Sequence, residues 1–227
     1  MKLLAVETAT EACSAALYID GEMFERFQLA PRIHTQLILP MIDSLLAEAE
    51  IDAHDLDGLA FGRGPGSFTG VRIATGVIQG IALGLELPVA PVSTLAAIAQ
   101  EYFERELTDT AFTAMDARMG EVFWGVYRRS VHGFAELIGE ESVGAANAVD
   151  FPDLCGAGVG SGWHVYQEVL ATRLKGRIMH CETDNLPRAG AVAVLGVQDF
   201  AAGLQVPVEQ AMPVYLRNKV AKKESER

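Results

Sequence analysis

Residues 61 to 72 read Phe-Gly-Arg-Gly-Pro-Gly-Ser-Phe-Thr-Gly-Val-Arg, a glycine- and proline-rich loop that runs directly into a predicted helix. Within this helix glycine recurs at Gly76, Gly80 and Gly84, and the spacing of four places all three on one ridge. Each glycine inside a helix costs about 1 kcal/mol relative to alanine, so the three together cost roughly 2–3 kcal/mol. This cost is usually offset by another backbone that packs very close to the ridge. Two neighbours fit this requirement: the protein's own sheet or helices, or a helix of another subunit.

The loop before the ridge has part of the chemistry of an anion site. It lacks the lysine of a Walker A sequence, which excludes a P-loop. The start of the following helix, flanked by Arg63 and Arg72, still offers backbone N–H groups to an anion. The candidate contacts for an anion or a nucleotide are Gly64, Gly66, Ser67 and Thr69.

Two halves of the chain have the same order of predicted elements. The first has strands at residues 2–7, 12–19 and 22–29, a helix at 35–50, a strand at 56–61, the glycine helix, a strand at 88–92 and a helix at 95–106. A shift of 109 residues aligns the segment ending at Asp116 with the segment ending at Glu7. The second half then continues with strands near 122–127, 133–137, 154–159 and 177–181, and with helices from about 163 and over 189–203.

This order is typical of mixed β-sheets with helices on their faces. Each half has one carboxylate at the end of its first strand, Glu7 or Asp116. Two such halves facing each other form the α/β architecture of the actin and Hsp70 ATPases, the RNase H type, in which the two acids flank a nucleotide cleft. We therefore predict two tandem actin/Hsp70-like domains, at residues 1–106 and 107–212, and a basic C-terminal tail at 213–227. Because few identities support the repeat, a chance match of hairpins is the alternative.

The hairpins of this predicted cleft are poorly suited to phosphate. ATPases of this architecture use glycine-rich hairpins, because glycine lets backbone N–H groups approach an anion closely. Here residues 8–12 contain no glycine and add a second acid, Glu11, which repels a triphosphate. The segment Gly156–Gly162 fits either an adenosine-binding turn or a tightly packed strand-to-helix turn, and the second interpretation is favoured.

The sequence also lacks an obvious metal or nucleophile site. The five histidines are scattered, and none has a second histidine or a cysteine at metal-ligand spacing. The three cysteines are far apart and odd in number, which indicates free thiols in a reducing compartment. We therefore predict no metal, no cofactor and no catalytic residues, with Glu7 and Asp116 as vestigial cleft acids.

Composition and charge limit the partners. Half of the 227 residues are apolar, enough for a large core, and the formal charge of −12 argues against nucleic-acid binding by the protein alone. The segment 217–227 is the exception, with five basic residues against two acidic ones, and is either a solvated terminus or an arm for RNA or an acidic partner. With no signal-peptide pattern and no run of about 18 apolar residues, we expect a cytoplasmic protein that does not contact membranes.

The predicted helix at 35–50 has more apolar surface than one-sided packing needs. Its apolar side chains cover an arc of about 200°, whereas packing on one side needs little more than 100°. A surplus apolar arc beside a glycine ridge is typical of an intermolecular helix bundle. The candidate subunit interface comprises Leu37, Ile38, Met41, Ile42, Leu45, Arg72, Gly76, Gly80 and Gly84.

On the evidence of five segments, the chain resembles the TsaB (YeaZ) family. The resemblance spans nearly the whole chain; it is highly specific in the first half and looser between about residues 131 and 212. The five segments are residues 7–14 (ETATEACS), 31–36 (PRIHTQ), 62–72 (GRGPGSFTGVR), 116–122 (DARMGEV) and 213–217 (PVYLR). The resemblance implies the dimerisation subunit of the bacterial machinery that places threonylcarbamoyl on the adenosine beside the anticodon of tRNAs. It also implies three properties: partnership with the catalytic paralogue TsaD and the ATPase TsaE, a homodimer in isolation, and contact with tRNA only through the complex.

The resemblance further implies that the active site has been lost. The paralogue carries a His-x-x-x-His metal pair where this chain has Thr94 and Ile98, and neither of these side chains can replace an imidazole ligand. Two hypotheses follow: a non-catalytic subunit that activates the transferase, or a free-standing actin-like ATP-dependent kinase or hydrolase that uses Glu7 and Asp116.

Overall fold

A computed structural model describes residues 1–217 as two halves, each built on a five-stranded sheet. The elements of the first half are β1 (Lys2–Glu7), β2 (Ala12–Ile19), β3 (Glu22–Leu29), α1 (His34–Glu48), β4 (Gly58–Gly62), α2 (Phe68–Leu85), β5 (Val89–Val92) and α3 (Thr94–Arg105). Those of the second half are β6 (Thr110–Asp116), β7 (Glu121–Arg129), β8 (Ala135–Ala145), β9 (Gly156–Val159), α4 (Ser161–Arg173), β10 (Ile178–Glu182) and α5 (Ala189–Ala201). Short 3-10 turns lie at Ala53–Asp55, Ala146–Ala148 and Val208–Gln210.

The two sheets have the same topology. The strand order is β3-β2-β1-β4-β5 in the first and β8-β7-β6-β9-β10 in the second. In both, the first three strands pair antiparallel, and the fourth and fifth run parallel to the first. The predicted α/β class with two mixed sheets and a repeated order of elements is confirmed. The largest difference from the predicted elements is β8, which extends to Ala145 instead of ending near residue 137.

One face of the first sheet is covered by α1 and α2. The buried apolar residues of α1 are Ile38, Ile42 and Leu45, which are at most 4% exposed and pack with Ala74 and Ile78 of α2. The predicted interface is therefore wrong for Ile38, Ile42 and Leu45, because these side chains form the protein's own core. The other two α1 residues of the predicted interface, Leu37 and Met41, are partly buried against the same core.

The two halves exchange a helix. The last helix of the first half, α3, packs on the second sheet, where Ile98 and Tyr102 join Tyr127 and Val159 in one core. The last helix of the second half, α5, returns to the other face of the first sheet. The predicted ranges 1–106 and 107–212 are therefore not separate packing units, since each contributes a helix to the core of the other.

Helix α2 has one further property. It is long and apolar enough to cross a membrane by length and composition alone, although Arg72 and Gln79 interrupt its apolar sequence. The core helix of a soluble domain passes the same test, and α2 has one face buried against the first sheet.

Candidate functional site

Glu7 lies at the end of β1 and is enclosed by the protein. Its side chain is 1% exposed, and its Oε1 accepts a hydrogen bond from the backbone N–H of Ala9 at 2.6 Å. The hydroxyl of Thr94 donates to Oε2 at 3.1 Å. A Cβ at Gly62 would overlap this carboxylate, so glycine is the residue that lets it lie against β4. Burial raises the pKa of the Glu7 carboxyl from 4.5 to about 7, although the hydrogen bonds it accepts oppose the rise.

The glycine loop closes over the hairpin that follows Glu7. The N–H of Ser67 donates to the carbonyl of Ala9 at 2.7 Å, and the hydroxyl of Thr8 donates to the carbonyl of Gly70 at 2.7 Å. A Cβ at Gly66 would overlap Ala9, and a Cβ at Gly70 would overlap the carbonyl oxygen of Thr8. These glycines therefore permit a close approach between two backbones, in the place where a phosphate hairpin would open.

The predicted anion contacts are partly engaged in this packing. The N–H of Ser67 is used by Ala9, and the Ser67 hydroxyl accepts the N–H of Gly70 at 3.4 Å as the cap of α2. Gly64 is buried, whereas Ser67 and Thr69 are exposed. Contact of this loop with an anion or nucleotide stays a prediction.

The second cleft acid, Asp116, is held by its own hairpin. Its Oδ1 accepts from the N–H of Arg118 at 2.8 Å and from the hydroxyl of Tyr166 at 3.2 Å. Its Oδ2 pairs with the Arg118 guanidinium at 2.9 Å. The turn reaches this shape through positive φ angles at Arg118, Met119 and Gly120. The carboxylate is therefore committed to shaping a turn.

The turn at Gly156–Gly162 is also explained by packing. A Cβ at Gly158 would overlap the indole of Trp163, and a Cβ at Gly160 or Gly162 would overlap Ala114. The geometry favours the strand-to-helix turn over the adenosine-binding interpretation.

Thr94 and Ile98, the positions at which the resemblance implies histidines in the paralogue, lie inside the protein. Thr94 is 0% exposed at the start of α3, and Ile98 is 1% exposed in the core on the second sheet. Within residues 1–217, no group of three or more His, Cys, Asp or Glu side chains is arranged to hold a metal ion.

The glycine ridge, Gly76, Gly80 and Gly84, lies on the outer surface of α2. Apart from α2 itself, no atom of the described chain lies within 4 Å of the position that a Cβ would take at any of the three. At 100° per residue, Gly80 lies opposite the middle of the buried face formed by Ala74, Ile78 and Ala82. Packing of the ridge against the protein's own sheet or helices, one of the two interpretations of the sequence, is therefore wrong. Close contact with another subunit stays a prediction.

Residues 211–217, which include the start of the predicted C-terminal tail, run along one side of α2. The side-chain amide of Gln79 donates to the carbonyl of Ala211 at 2.9 Å, and the Tyr215 ring lies 5.8 Å from the Phe68 ring. The guanidinium of Arg72, a predicted interface residue, lies 3.3 Å from the centroid of the Phe68 ring. The segment is therefore part of the folded structure.

The same segment then reaches the second half, where Arg217 pairs with Glu121 and donates to the carbonyl of Ala117 at 2.9 Å. Arg217 is thus held by the fold. The other basic residues of the predicted tail, at positions 219, 222, 223 and 227, lie outside the described residues.

Three comparisons with known proteins bear on this geometry. Residues 28–224 match a family model described as "TsaD: tRNA N6-adenosine threonylcarbamoyltransferase". The chain is 43% identical over 225 residues to the "tRNA threonylcarbamoyladenosine biosynthesis protein TsaB" of Escherichia coli, covering 97% of this chain and 96% of that protein. It is 39% identical to the protein of the same name in Haemophilus influenzae, over 97% and 95% of the two chains. The solved structure "YeaZ from Pseudomonas aeruginosa" superposes with a TM-score of 0.89 at 42% identity, over 95% of this chain and 99% of that one.

Proposed function

Because the chain belongs to the TsaB (YeaZ) family of tRNA threonylcarbamoyladenosine biosynthesis proteins, we propose that it is a non-catalytic subunit that dimerises with and activates the catalytic paralogue TsaD. The complex transfers threonylcarbamoyl to the adenosine beside the anticodon of tRNAs, with TsaE as the associated ATPase. The protein works in the cytoplasm, forms a homodimer when alone, and reaches tRNA only through the complex, since its own charge of −12 disfavours RNA.

The uncovered glycine ridge carries this proposal. Three glycines in one exposed helix cost roughly 2–3 kcal/mol relative to alanine, and nothing in the described chain uses the space they leave. Glycine on a helix surface lets another helix approach closely. A subunit docked on α2 provides the compensating contact that residues 1–217 do not supply.

The closed cleft supports the non-catalytic part of the proposal. Glu7 is buried, Asp116 is bound by its own turn, and the glycine loop occupies the hairpin where phosphates would be held. The positions of Thr94 and Ile98 are likewise filled by packed side chains. No observation on the described residues favours the alternative of a free-standing kinase or hydrolase.

The proposal is tested by Gly80→Leu. The new side chain points into solvent in the isolated protein, where it raises helix propensity, but it prevents a second helix from approaching the ridge. The matched control is Ala171→Leu, which adds a leucine to an exposed position of α4 in the second half. Thermal melting and equilibrium sedimentation, with and without the paralogue, separate folding from association.

At concentrations at which the parent protein is monomeric, we expect both variants to melt cooperatively and close to the parent, and we expect only Gly80→Leu to lose pairing. If folded Gly80→Leu pairs with the paralogue as tightly as Ala171→Leu does, the proposed interface is wrong.

A further inference from the structure

An open surface pocket of about 420 Å³ lies where α2 ends, and we call it the α2-end cavity. One wall comes from α2 and the turn into β5, and the other from the segment that precedes the last 3-10 turn. The lining residues are Ala82, Leu83, Glu86, Leu87, Pro88 and residues 205–209. The tRNA-modification proposal assigns no role to this cavity.

The lining of the α2-end cavity suits a side chain that carries a positive charge at the end of an apolar stem. Most of its lining is aliphatic, but Glu86 and Glu209 contribute two exposed carboxylates. None of the described lining residues is basic. Two negative charges therefore border a largely aliphatic space, and residues 1–217 contribute no basic side chain to its lining.

The cavity adjoins the glycine ridge. Leu83 lines the cavity, is 72% exposed, and directly precedes Gly84 in α2. At 100° per residue, Leu83 lies about 60° from Gly80 around α2, on the neighbouring strip of its surface. A body that packs on the ridge therefore passes over Leu83 and the mouth of the cavity.

We propose that the α2-end cavity receives an arginine side chain of the subunit that docks on α2, an inference that rests on the proposed function. The methylene stem of arginine packs against the aliphatic wall, while its guanidinium donates to the carboxylates of Glu86 and Glu209. An arginine desolvated at the edge of a helix contact is a typical interface hot spot. Attraction between this arginine and the two carboxylates would also favour the correct partner over other proteins.

The test removes the two charges and keeps the shape. The double variant Glu86→Gln/Glu209→Gln is compared with Glu136→Gln/Glu140→Gln, which makes the same charge change on exposed β8 of the second half. Affinity for the purified paralogue is measured by titration calorimetry at low and high salt. We expect the cavity variant to bind about ten- to a hundred-fold more weakly at low salt and to lose part of the salt dependence, while the β8 variant binds like the parent.

Chemical modification identifies the inserted group. In the complex of the parent protein, one partner arginine should be protected from phenylglyoxal, and the cavity variant should expose it. Protection of a lysine from acetylation instead, or unchanged affinity and salt dependence in the cavity variant, overturns the inference. The Gly80→Leu variant separates the two ideas: if it abolishes pairing while the cavity variant binds normally, only the cavity inference fails. If Gly80→Leu pairs normally, the proposed interface itself fails.

Discussion

Replacing Glu7 by glutamine should stabilise the protein at neutral and alkaline pH and remove a component of its pH dependence. In the folded state burial raises the pKa of Glu7 from 4.5 to about 7. Between these values the folded protein keeps a proton that the unfolded chain has lost, so the free energy of unfolding falls as the pH rises. Above pH 7, a pKa shift of that size lowers the free energy of unfolding by about 3 kcal/mol relative to its value at acidic pH. Glutamine avoids this cost, because its oxygen accepts from Ala9 and its amide donates to the hydroxyl of Thr94.

Urea denaturation of both proteins from about pH 4.5 to about pH 8 measures this effect, and the difference between them isolates Glu7 from other titrating groups. We expect the variant to gain about 3 kcal/mol on the parent over that range. It should also support tRNA modification with the paralogue as well as the parent does. A difference that does not change with pH would show that Glu7 is not held in the buried state described above. Loss of modification by a stable variant would contradict a vestigial role.

Three further outcomes are expected. Gly76→Ala should raise the free energy of unfolding of the isolated protein by about 1 kcal/mol in urea titrations, because the added methyl meets nothing on the exposed surface of α2. Gly70→Ala should lower it by about 1–3 kcal/mol in the same titrations, since its Cβ overlaps the carbonyl oxygen of Thr8; equal stability would contradict the close approach. The isolated protein should neither hydrolyse ATP nor modify tRNA in phosphate-release and nucleoside assays. ATP turnover that disappears in Asp116→Ala would instead support the kinase alternative.

Local patterns were sufficient to predict the two repeated sheets. Alternating and buried runs ending at Glu7 and Asp116 identify equivalent first strands, because side-chain period and turn residues are local properties. The glycine spacing in α2 likewise predicts a ridge from geometry alone. Which surface the ridge faces required the structure, since only the packing of Ala74 and Ile78 orients the helix.

The features that the sequence did not predict all depend on contacts between residues far apart in the sequence. The wide apolar arc of α1 predicts contact with a partner, but Ile38, Ile42 and Leu45 face the sheet. The width of an apolar arc does not reveal how much of it the protein's own core covers. The contacts of the segment around Tyr215 depend on side chains more than a hundred residues away, so no local pattern reports them. The exchange of α3 and α5 between the halves is non-local in the same way.

Because α5 covers the first sheet, that sheet cannot be completed until most of the chain has been synthesised. β1 begins at Lys2, yet the helix that covers one face of its sheet ends at Ala201, so synthesis from the N-terminus produces the first sheet long before its cover exists. Until then an apolar face that includes Leu3, Ala60 and Ala90 stays open on the nascent chain. Such a face is a target for chaperones and for aggregation, and any truncation that removes α5 restores it permanently. Ribosome-stalled chains released before and after α5 should therefore differ sharply in their resistance to protease, although the same first half has been synthesised in both.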